Sequence, residues 1–371
     1  MSWHEWLSIF AVVLALGALA LALTAHRRAR RDDDASAATG ASSGPAARST
    51  TGPVAFVINP TKSRSGELRD AALRACSERY LPEPMFFETT AEDPGTEQAR
   101  AAIEAGASAV VAAGGDGTVR AVAAALINTG TPMGIVPLGT GNLLARNLDL
   151  PLTRMDEQLR IVLTAHEQPI DVGWLQVSPP RREDDLPPPN REATDSDKGH
   201  MFLVIGGVGF DAEMVASTDE ELKSRVGWAA YFIAGIKHLN ERRLRLTIQL
   251  DDRPPTTVRA RSLLLGNCGK LPGGLTLLPG AEIDDGWLDI AAIDTRGGIA
   301  GWVQLFGEVV LQGLGLRNEL PKMGRIDHTR SRSLKIASDR PVELQIDGES
   351  LGQAIELSAH VEHHALIIRA P

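Results

Sequence analysis

Short runs of consecutive apolar residues alternate with segments of helical periodicity over residues 54–168. The runs at 54–58, 110–113 and 134–137 have the length and composition of fully buried strands. A further strand is expected at 85–89. Segments with apolar residues on one helical face are 67–79, 96–105, 119–127 and 156–165. Strands that alternate with helices in this way predict an α/β fold, a doubly wound parallel sheet.

The pattern changes to alternating apolar and polar residues from residue 169 onward. Residues 178–199 interrupt it with Pro, Asp and Arg and are too polar to pack, so we expect a disordered insertion there. The spacing of the remaining strands is typical of a β-rich antiparallel sandwich domain over 169–371. The expected strands are 170–177, 201–205, 244–250, 259–265, 288–293, 333–337, 342–346 and 365–369.

The first 31 residues have the pattern of a membrane anchor. Residues 6–25 are uncharged and long enough to cross a bilayer as a helix, and an Arg-rich flank follows at 26–31. The positive flank predicts a single-pass protein of the cell membrane with both of its folded domains on the cytoplasmic side. A cleaved signal peptide is the competing interpretation, but no Lys or Arg precedes the apolar run and Glu5 does. Residues 32–53 are small and polar and predict a flexible linker.

Composition limits the classes of function. The net charge of −9 argues against nucleic acid as a partner. The two cysteines, Cys76 and Cys268, are far apart in sequence and indicate neither a disulfide framework nor a cysteine-based zinc site. The folded part of the chain is therefore expected in a reducing compartment.

Three of the predicted strands run into loops that contain glycine and small polar residues. Gly114-Gly115-Asp116-Gly117-Thr118 follows one strand, Leu138-Gly139-Thr140-Gly141-Asn142 follows another, and a loop from Asn59 to Gly66 follows the first. In an open parallel sheet such loops share the carboxyl edge, where ligands bind. Glycines and a helix start form a phosphate cradle, although an ordinary strand-to-helix turn with a capping aspartate explains one such loop equally well.

These motifs, taken in order, resemble the diacylglycerol kinase-like lipid kinases, which include bacterial diacylglycerol kinases, sphingosine kinases and ceramide kinases. The resemblance continues through Gly206–Asp211, Asp284–Asp289 and Asp347-Gly348-Glu349 and covers the chain from about residue 54 to its end. One difference is Leu143 after Asn142, where several bacterial diacylglycerol kinases have an Asn-Asp pair. The resemblance implies ATP and Mg²⁺ as cofactors and a lipid hydroxyl as phosphoryl acceptor, with diacylglycerol the leading candidate.

The resemblance also implies roles for individual residues. Glu349 is expected to be the catalytic base and Asp116 to organise nucleotide and magnesium, although the sphingosine kinase branch would make Asp116 the base. Asp284 and Asp285 are expected to hold a structural Mg²⁺, and Asp171 to lie near the nucleotide. The expected nucleotide-binding residues are Asn59, Pro60, Thr61, Ser65, Gly66, Gly114, Gly115, Asp116, Gly117, Thr118, Gly139, Thr140, Gly141 and Asn142.

Alternatives from other classes remain open at the level of sequence. One is a kinase of soluble substrates related to NAD kinases, and another is an inactive lipid- or nucleotide-binding module on a membrane tether. No Gly-x-x-x-x-Gly-Lys-Ser/Thr loop is present, which excludes a P-loop enzyme. Expected partners are a membrane lipid, ATP and a second copy of the chain in a homodimer. A basic cluster could also bring the protein to an anionic membrane surface. Its members are Arg325, Arg330, Arg332 and Lys335.

Overall fold

The computed structural model describes residues 52–177, 199–209, 243–270, 276–295 and 324–371, which lie in one compact unit. The predicted anchor, almost all of the linker and residues 178–198 of the predicted insertion lie outside the described residues. Within the described ranges, no helix has the length and apolar character needed to span a membrane. The predicted anchor and its localisation therefore stay predictions.

Residues 54–164 form alternating strands and helices. Four neighbouring strands lie in the order β4-β3-β1-β2, and all their pairings are parallel, as predicted. The strands are β1 (Val54–Ile58), β2 (Met85–Glu88), β3 (Ala109–Gly114) and β4 (Met133–Pro137). The helices are α1 (Ser65–Glu78), α2 (Thr96–Glu104), α3 (Asp116–Leu126), α4 (Leu143–Asn147) and α5 (Met155–Thr164).

Helices cover both faces of this parallel sheet. On one face, Leu68 and Ala72 of α1 and Leu159 of α5 pack with Phe56 of β1. On the other face, α2 and α3 pack their small and branched residues against alternate positions of the same strands. The strands β1, β3 and β4 are thus buried on both sides, which explains their uninterrupted apolar sequences, whereas β2 at the edge of the sheet is only partly buried.

The described part of the second half consists of strands, mostly antiparallel. These are β5 (Glu167–Val177), β6 (His200–Phe202), β7 (Ile205–Val208), β8 (Leu244–Leu250), β9 (Thr256–Ala260), β10 (Ser262–Gly266), β11 (Leu288–Thr295), β12 (Gly324–Ser331), β13 (Ser333–Ile346) and β14 (Glu349–Arg369). The sequence predicted one strand at 201–205 and one at 259–265, but each is divided into two. It also predicted two strands at 333–337 and 342–346, which form the single irregular strand β13.

The two halves share one sheet, which the sequence did not predict. The last strand, β14, pairs antiparallel with β13 and β5, and its end lies parallel to β4 at Ile368 and Met133. The fourteen described strands consequently belong to one mixed sheet. This connection holds the β-rich half against the nucleotide half.

Candidate active site

The glycine-bearing loops after β1, β3 and β4 meet at one edge of the parallel sheet. The backbone N–H of Asn59 donates to the carbonyl of Ala113 (3.0 Å), and that of Leu138 donates to the carbonyl of Gly114 (2.8 Å). Because β3 lies between β1 and β4, these bonds hold all three loops side by side. The predicted shared edge is present in the structure.

The loops after β3 and β4 contact each other through the backbone of their glycines. A Cβ atom added to Gly139 would lie 2.6 Å from the Cα of Gly115. A Cβ added to Gly141 would lie 2.5 Å from Oδ2 of Asp116. Any other residue at either position would force the loops apart, so glycine permits the close approach. The result is a backbone cradle of the kind that accepts phosphate groups.

Asp116, the first residue of α3, ties the second loop to the third. Its Oδ1 accepts the N–H of Leu143 (2.6 Å), and its Oδ2 accepts the N–H of Asn142 (2.9 Å). Burial raises the pKa of Asp116, although these backbone hydrogen bonds and the positive charge of Arg120 oppose the rise. The carboxylate therefore has a structural task at this edge, since it caps the start of α4.

The loop after β1 is held by its own polar groups. Oδ1 of Asn59 accepts hydrogen bonds from the backbone N–H (3.0 Å) and the hydroxyl (2.7 Å) of Thr61. The hydroxyl of Ser65 donates to the carbonyl of Pro60 (3.3 Å). Ser65 and Gly66 open α1, and the space around Gly66 is open within 4 Å of an added Cβ. This loop therefore keeps a fixed shape beside the two glycine loops.

Glu349 lies above the first turn of α3, far from Asp116 in sequence but close to its helix. Asp347 and Gly348 both have positive φ (45° and 86°) and form a two-residue turn between β13 and β14. A Cβ added to Gly117 would lie 3.3 Å from Oε1 of Glu349. The structure thus brings the expected base to the Gly-Gly-Asp-Gly turn, while its role as a base stays a prediction.

Asp347 has a structural position in the same turn. Its buried carboxylate accepts the backbone N–H groups of Leu203 (2.9 Å), Val204 (2.9 Å) and Ile205 (3.0 Å). These bonds fix the bend between β6 and β7, which explains why the predicted strand 201–205 is divided. They also anchor the turn that carries Glu349.

Arg120 is a site residue that the sequence analysis missed. Its guanidinium Nη2 donates to Oε2 of Glu349, and its side chain is only 17% exposed. Among the described residues, its Nη1 is buried and has no hydrogen-bond partner. A lone arginine between Val119 and Val122, in an otherwise apolar stretch of helix, was the available signal. Its guanidinium is a partly buried cation between α3 and the β13–β14 turn.

The Asp284-Asp285-Gly286 turn lies against Asp171. The fully buried carboxylate of Asp171 accepts the N–H of Gly286 at 2.6 Å. Oδ1 of Asp285 accepts the N–H of Trp287 (3.1 Å), whereas its buried Oδ2 accepts no hydrogen bond within the described part of the chain. A buried carboxylate oxygen without a hydrogen bond suits a hard cation such as Mg²⁺, so Asp285 could hold the predicted metal in place of its ion-pair partner Arg330. Asp284 is exposed.

Arg330 occupies the position beside Asp285 where the predicted Mg²⁺ would bind. Its contacts also change the interpretation of the basic cluster. Its Nη1 lies 3.0 Å from Oδ2 of Asp285, and its Nε lies 3.1 Å from Oδ2 of Asp289. Arg332 stacks over the ring of Trp287, with 4.8 Å between its Cζ atom and the ring centroid. Two of the four basic residues are therefore engaged within the protein, which weakens the cluster as a membrane-binding surface.

Comparisons with known proteins identify the family. The sequence pattern of the diacylglycerol kinase catalytic domain matches residues 53–175, and that of the YegS C-terminal NAD kinase beta sandwich-like domain matches residues 205–369. A probable lipid kinase YegS-like from Pseudomonas fluorescens is 30% identical over 70% of this chain and 76% of its own length. The chain belongs to the YegS-like lipid kinase family.

Two further proteins are similar to this chain. An uncharacterised protein from Synechocystis is 32% identical over 67% of this chain, and the match spans about half (51%) of that relative's length. A crystal structure titled as a diacylglycerol kinase from Bacillus anthracis has a TM-score of 0.64 at 19% identity and covers 88% of this chain and 99% of that one. At this identity the second likeness supports the fold alone. The chain therefore shares the fold of that structure.

Proposed function

We propose that this protein transfers the γ-phosphate of ATP to the hydroxyl of a membrane lipid, with diacylglycerol the leading acceptor and phosphatidic acid the product. The observation that carries the proposal is the position of Glu349 above the first turn of α3. This position places a carboxylate beside the phosphate cradle formed by Gly115, Gly139 and Gly141. Phosphoryl transfer needs this combination of a held donor and a carboxylate near the attacking oxygen.

The contacts of the two carboxylates favour Glu349 as the base over Asp116. Both oxygens of Asp116 already accept backbone N–H groups, and moving the carboxylate would release the start of α4. The Glu349 side chain is 55% exposed and has one guanidinium neighbour, so a lipid hydroxyl can approach it. In this proposal Glu349 takes the proton of that hydroxyl as the oxygen attacks.

The remaining site residues position the reactants. The glycine backbone of the second and third loops would hold the ATP phosphates, and the loop from Asn59 to Gly66 would border the same nucleotide. Asp285 would hold the Mg²⁺ ion through Oδ2, the oxygen that forms an ion pair with Arg330 in the structure. When bound, magnesium supplies positive charge to a strongly acidic turn. The partly buried guanidinium of Arg120 would hold the base in place through its ion pair with Glu349.

The identity of the lipid rests on the family rather than on a contact within the described residues. Leu143, where several bacterial diacylglycerol kinases have aspartate, donates its backbone N–H to Asp116. Its apolar side chain changes the charge of the third loop relative to those enzymes. Sphingosine- and ceramide-type acceptors are therefore included beside diacylglycerol. The proposal also places the enzyme on the cytoplasmic face of the cell membrane through the apolar segment 6–25.

The experiment is a transfer assay with the purified full-length chain, γ-labelled ATP and Mg²⁺. Diacylglycerol, sphingosine and ceramide in mixed micelles are offered separately, and NAD⁺ tests a soluble acceptor. We expect labelled phosphatidic acid from diacylglycerol. Label on sphingosine or ceramide alone would support the proposal of a lipid kinase but identify a different lipid substrate. Label on NAD⁺ alone, or ATP binding without transfer to any acceptor, would contradict the proposal.

A further inference from the structure

A second group of chemically active side chains lies where the last strand meets the Asp284–Gly286 turn. We propose that Asp171, His363 and His364 bind a divalent transition metal of the zinc type. The three residues offer one carboxylate oxygen and two imidazole nitrogens, and these atoms lie within 4.8 Å of one another. The proposed site uses donors different from those of the predicted magnesium site at Asp285.

Two of the three donors already have nearly the separation that a shared metal requires. Nδ1 of His363 lies 2.8 Å from Oδ1 of Asp171. Zinc binds nitrogen and carboxylate oxygen at about 2.0–2.2 Å, which places neighbouring donors roughly 3 Å apart. A metal would replace the proton that these two atoms share. The ring of His364 is exposed, so it can rotate to bring a nitrogen to the same ion without displacing packed residues.

The fold fixes the carboxylate and leaves the imidazoles accessible. Asp171 is fully buried, and its Oδ2 is oriented by the N–H of Gly286 (2.6 Å). Its Oδ1 also accepts the N–H of His364 (2.8 Å), which holds the histidine pair over the carboxylate. Oriented ligands of this kind bind metals more tightly than free side chains. The His363 side chain is 51% exposed, so an ion can enter from solvent.

The two histidines project together because the chain bulges at this point. Between Glu362 and Leu366 the pairing of β14 with β5 shifts register, and the two rings stack with centroids 3.6 Å apart. A pair of adjacent strand residues would normally point to opposite faces. The bulge therefore directs both imidazoles to the side on which Asp171 lies.

His364 adopts a backbone conformation that favours glycine. Its φ is +54°, a region where a residue with a Cβ atom is strained. The exposed ring buries little surface that could offset this strain. Metal ligation provides a reason for an imidazole at this position, and it also makes His364→Gly a useful test because glycine is suited to the backbone.

The donor set selects the class of metal. Imidazole nitrogen suits Zn²⁺, Co²⁺ and Ni²⁺, whereas Mg²⁺ prefers oxygen ligands. Three protein ligands leave at least one coordination position for water. A metal here would fasten the last strand to β5 through Asp171 and thereby to the Gly286 turn.

The test measures zinc bound to the full-length chain after metal removal with chelator. Equilibrium dialysis against buffered Zn²⁺ with elemental analysis gives the stoichiometry, and Co²⁺ absorption reports nitrogen ligation. The variants are His363→Gln and His364→Gly, and the matched control is His328→Gln, an exposed strand histidine outside the group. The melting temperature of each metal-free variant shows that it is folded.

We expect one zinc per chain that is lost in His363→Gln and in His364→Gly and retained in His328→Gln. Saturating zinc should raise the melting temperature of wild type and control by a few degrees and leave His364→Gly unchanged. Metal-free His364→Gly should melt no lower than wild type. The proposal would be overturned if wild type bound no zinc, or if zinc still bound to both His363→Gln and His364→Gly. Millimolar Mg²⁺ should not displace the zinc, and displacement would also contradict it.

Discussion

The guanidinium of Arg120 pairs with the carboxylate of Glu349 across 229 positions of sequence. This ion pair joins α3, the helix that begins at the Gly-Gly-Asp-Gly loop, to the β13–β14 turn of the β-rich half. It explains how a residue near the carboxyl end of the chain can take part in chemistry at the edge of the parallel sheet. The pair also suggests that Arg120 orients the carboxylate.

Replacing Arg120 with Gln should lower the transfer rate while leaving the protein folded. Loss of orientation at a reacting group costs on the order of tenfold to a hundredfold in rate. The KM for ATP should change little if Arg120 acts through Glu349, and Arg120→Lys should recover part of the rate. The control is Arg100→Gln, since Arg100 pairs with Glu97 on the exposed side of α2. A full rate in Arg120→Gln would exclude the positioning role.

Substituting Gly141 with alanine should abolish ATP binding without unfolding the protein. The added Cβ would lie 2.5 Å from Oδ2 of Asp116, so the third loop must move away from the second. Titration calorimetry with ATP measures the loss, and circular dichroism checks the fold. Gly280→Ala is the control, because its nearest neighbouring atom would lie at an ordinary 3.5 Å. Unchanged ATP affinity in Gly141→Ala would show that the cradle lies elsewhere.

The cap of α2 should make a stability contribution that depends on pH. Burial tends to raise the pKa of Asp93, but hydrogen bonds from the N–H groups of Gly95, Thr96 and Glu97 outweigh it and lower the pKa. A carboxyl whose folded pKa lies below its unfolded value stabilises the fold above the unfolded pKa and loses this effect as pH falls through the folded pKa. Asp93→Ala should therefore reduce the free energy of unfolding by about 1 kcal/mol at neutral pH.

Urea unfolding of wild type and Asp93→Ala over a pH series measures this effect. The difference between them should narrow as the pH falls below about 4, the ordinary range of an aspartate. Glu92→Ala, at the exposed neighbouring position, should show no comparable difference. If the difference in the free energy of unfolding stayed constant at acid pH, the charge of the Asp93 carboxylate would make no contribution to stability.

Deleting residues 1–31 should release a folded enzyme that still phosphorylates detergent-dispersed lipid. The reason is that the apolar run and its Arg-rich flank precede the described fold and its site. Fractionation of cells into washed membranes and supernatant measures the release. If the truncated protein stayed in the membranes, another surface would bind them, and Lys335→Glu would test the basic cluster.

Sequence periodicity predicted the nucleotide half well because each of its elements is buried on a repeating face. In that half, β1 and the end of β4 match the predicted runs. In the β-rich half, β8 has the predicted bounds. The errors lie where a distant group decides the local structure. Asp347 bends the chain between β6 and β7 by accepting three backbone N–H groups, and no local pattern reveals that partner.

In the candidate site, too, the features visible in local sequence were predicted and those that depend on distant residues were missed. The glycine loops were identified because backbone approach requires glycine, which is visible in sequence. Arg120 was missed because its partner Glu349 is brought near only by the sheet that joins the two halves. His363 and His364 were missed because their relation to Asp171 depends on a bulge in β14. An adjacent histidine pair was the only local signal.

The separate roles of Glu349 and Asp116 give the central claim its most direct test. In Glu349→Gln, the rate of phosphate transfer to lipid and the affinity for ATP are measured on the same preparation, with Asp116→Asn as the comparison. The account predicts a rate lower by about a hundred- to ten-thousandfold in Glu349→Gln, with ATP affinity nearly unchanged. A full rate in Glu349→Gln, together with a lost rate and intact ATP binding in Asp116→Asn, would contradict it and assign the base role to Asp116.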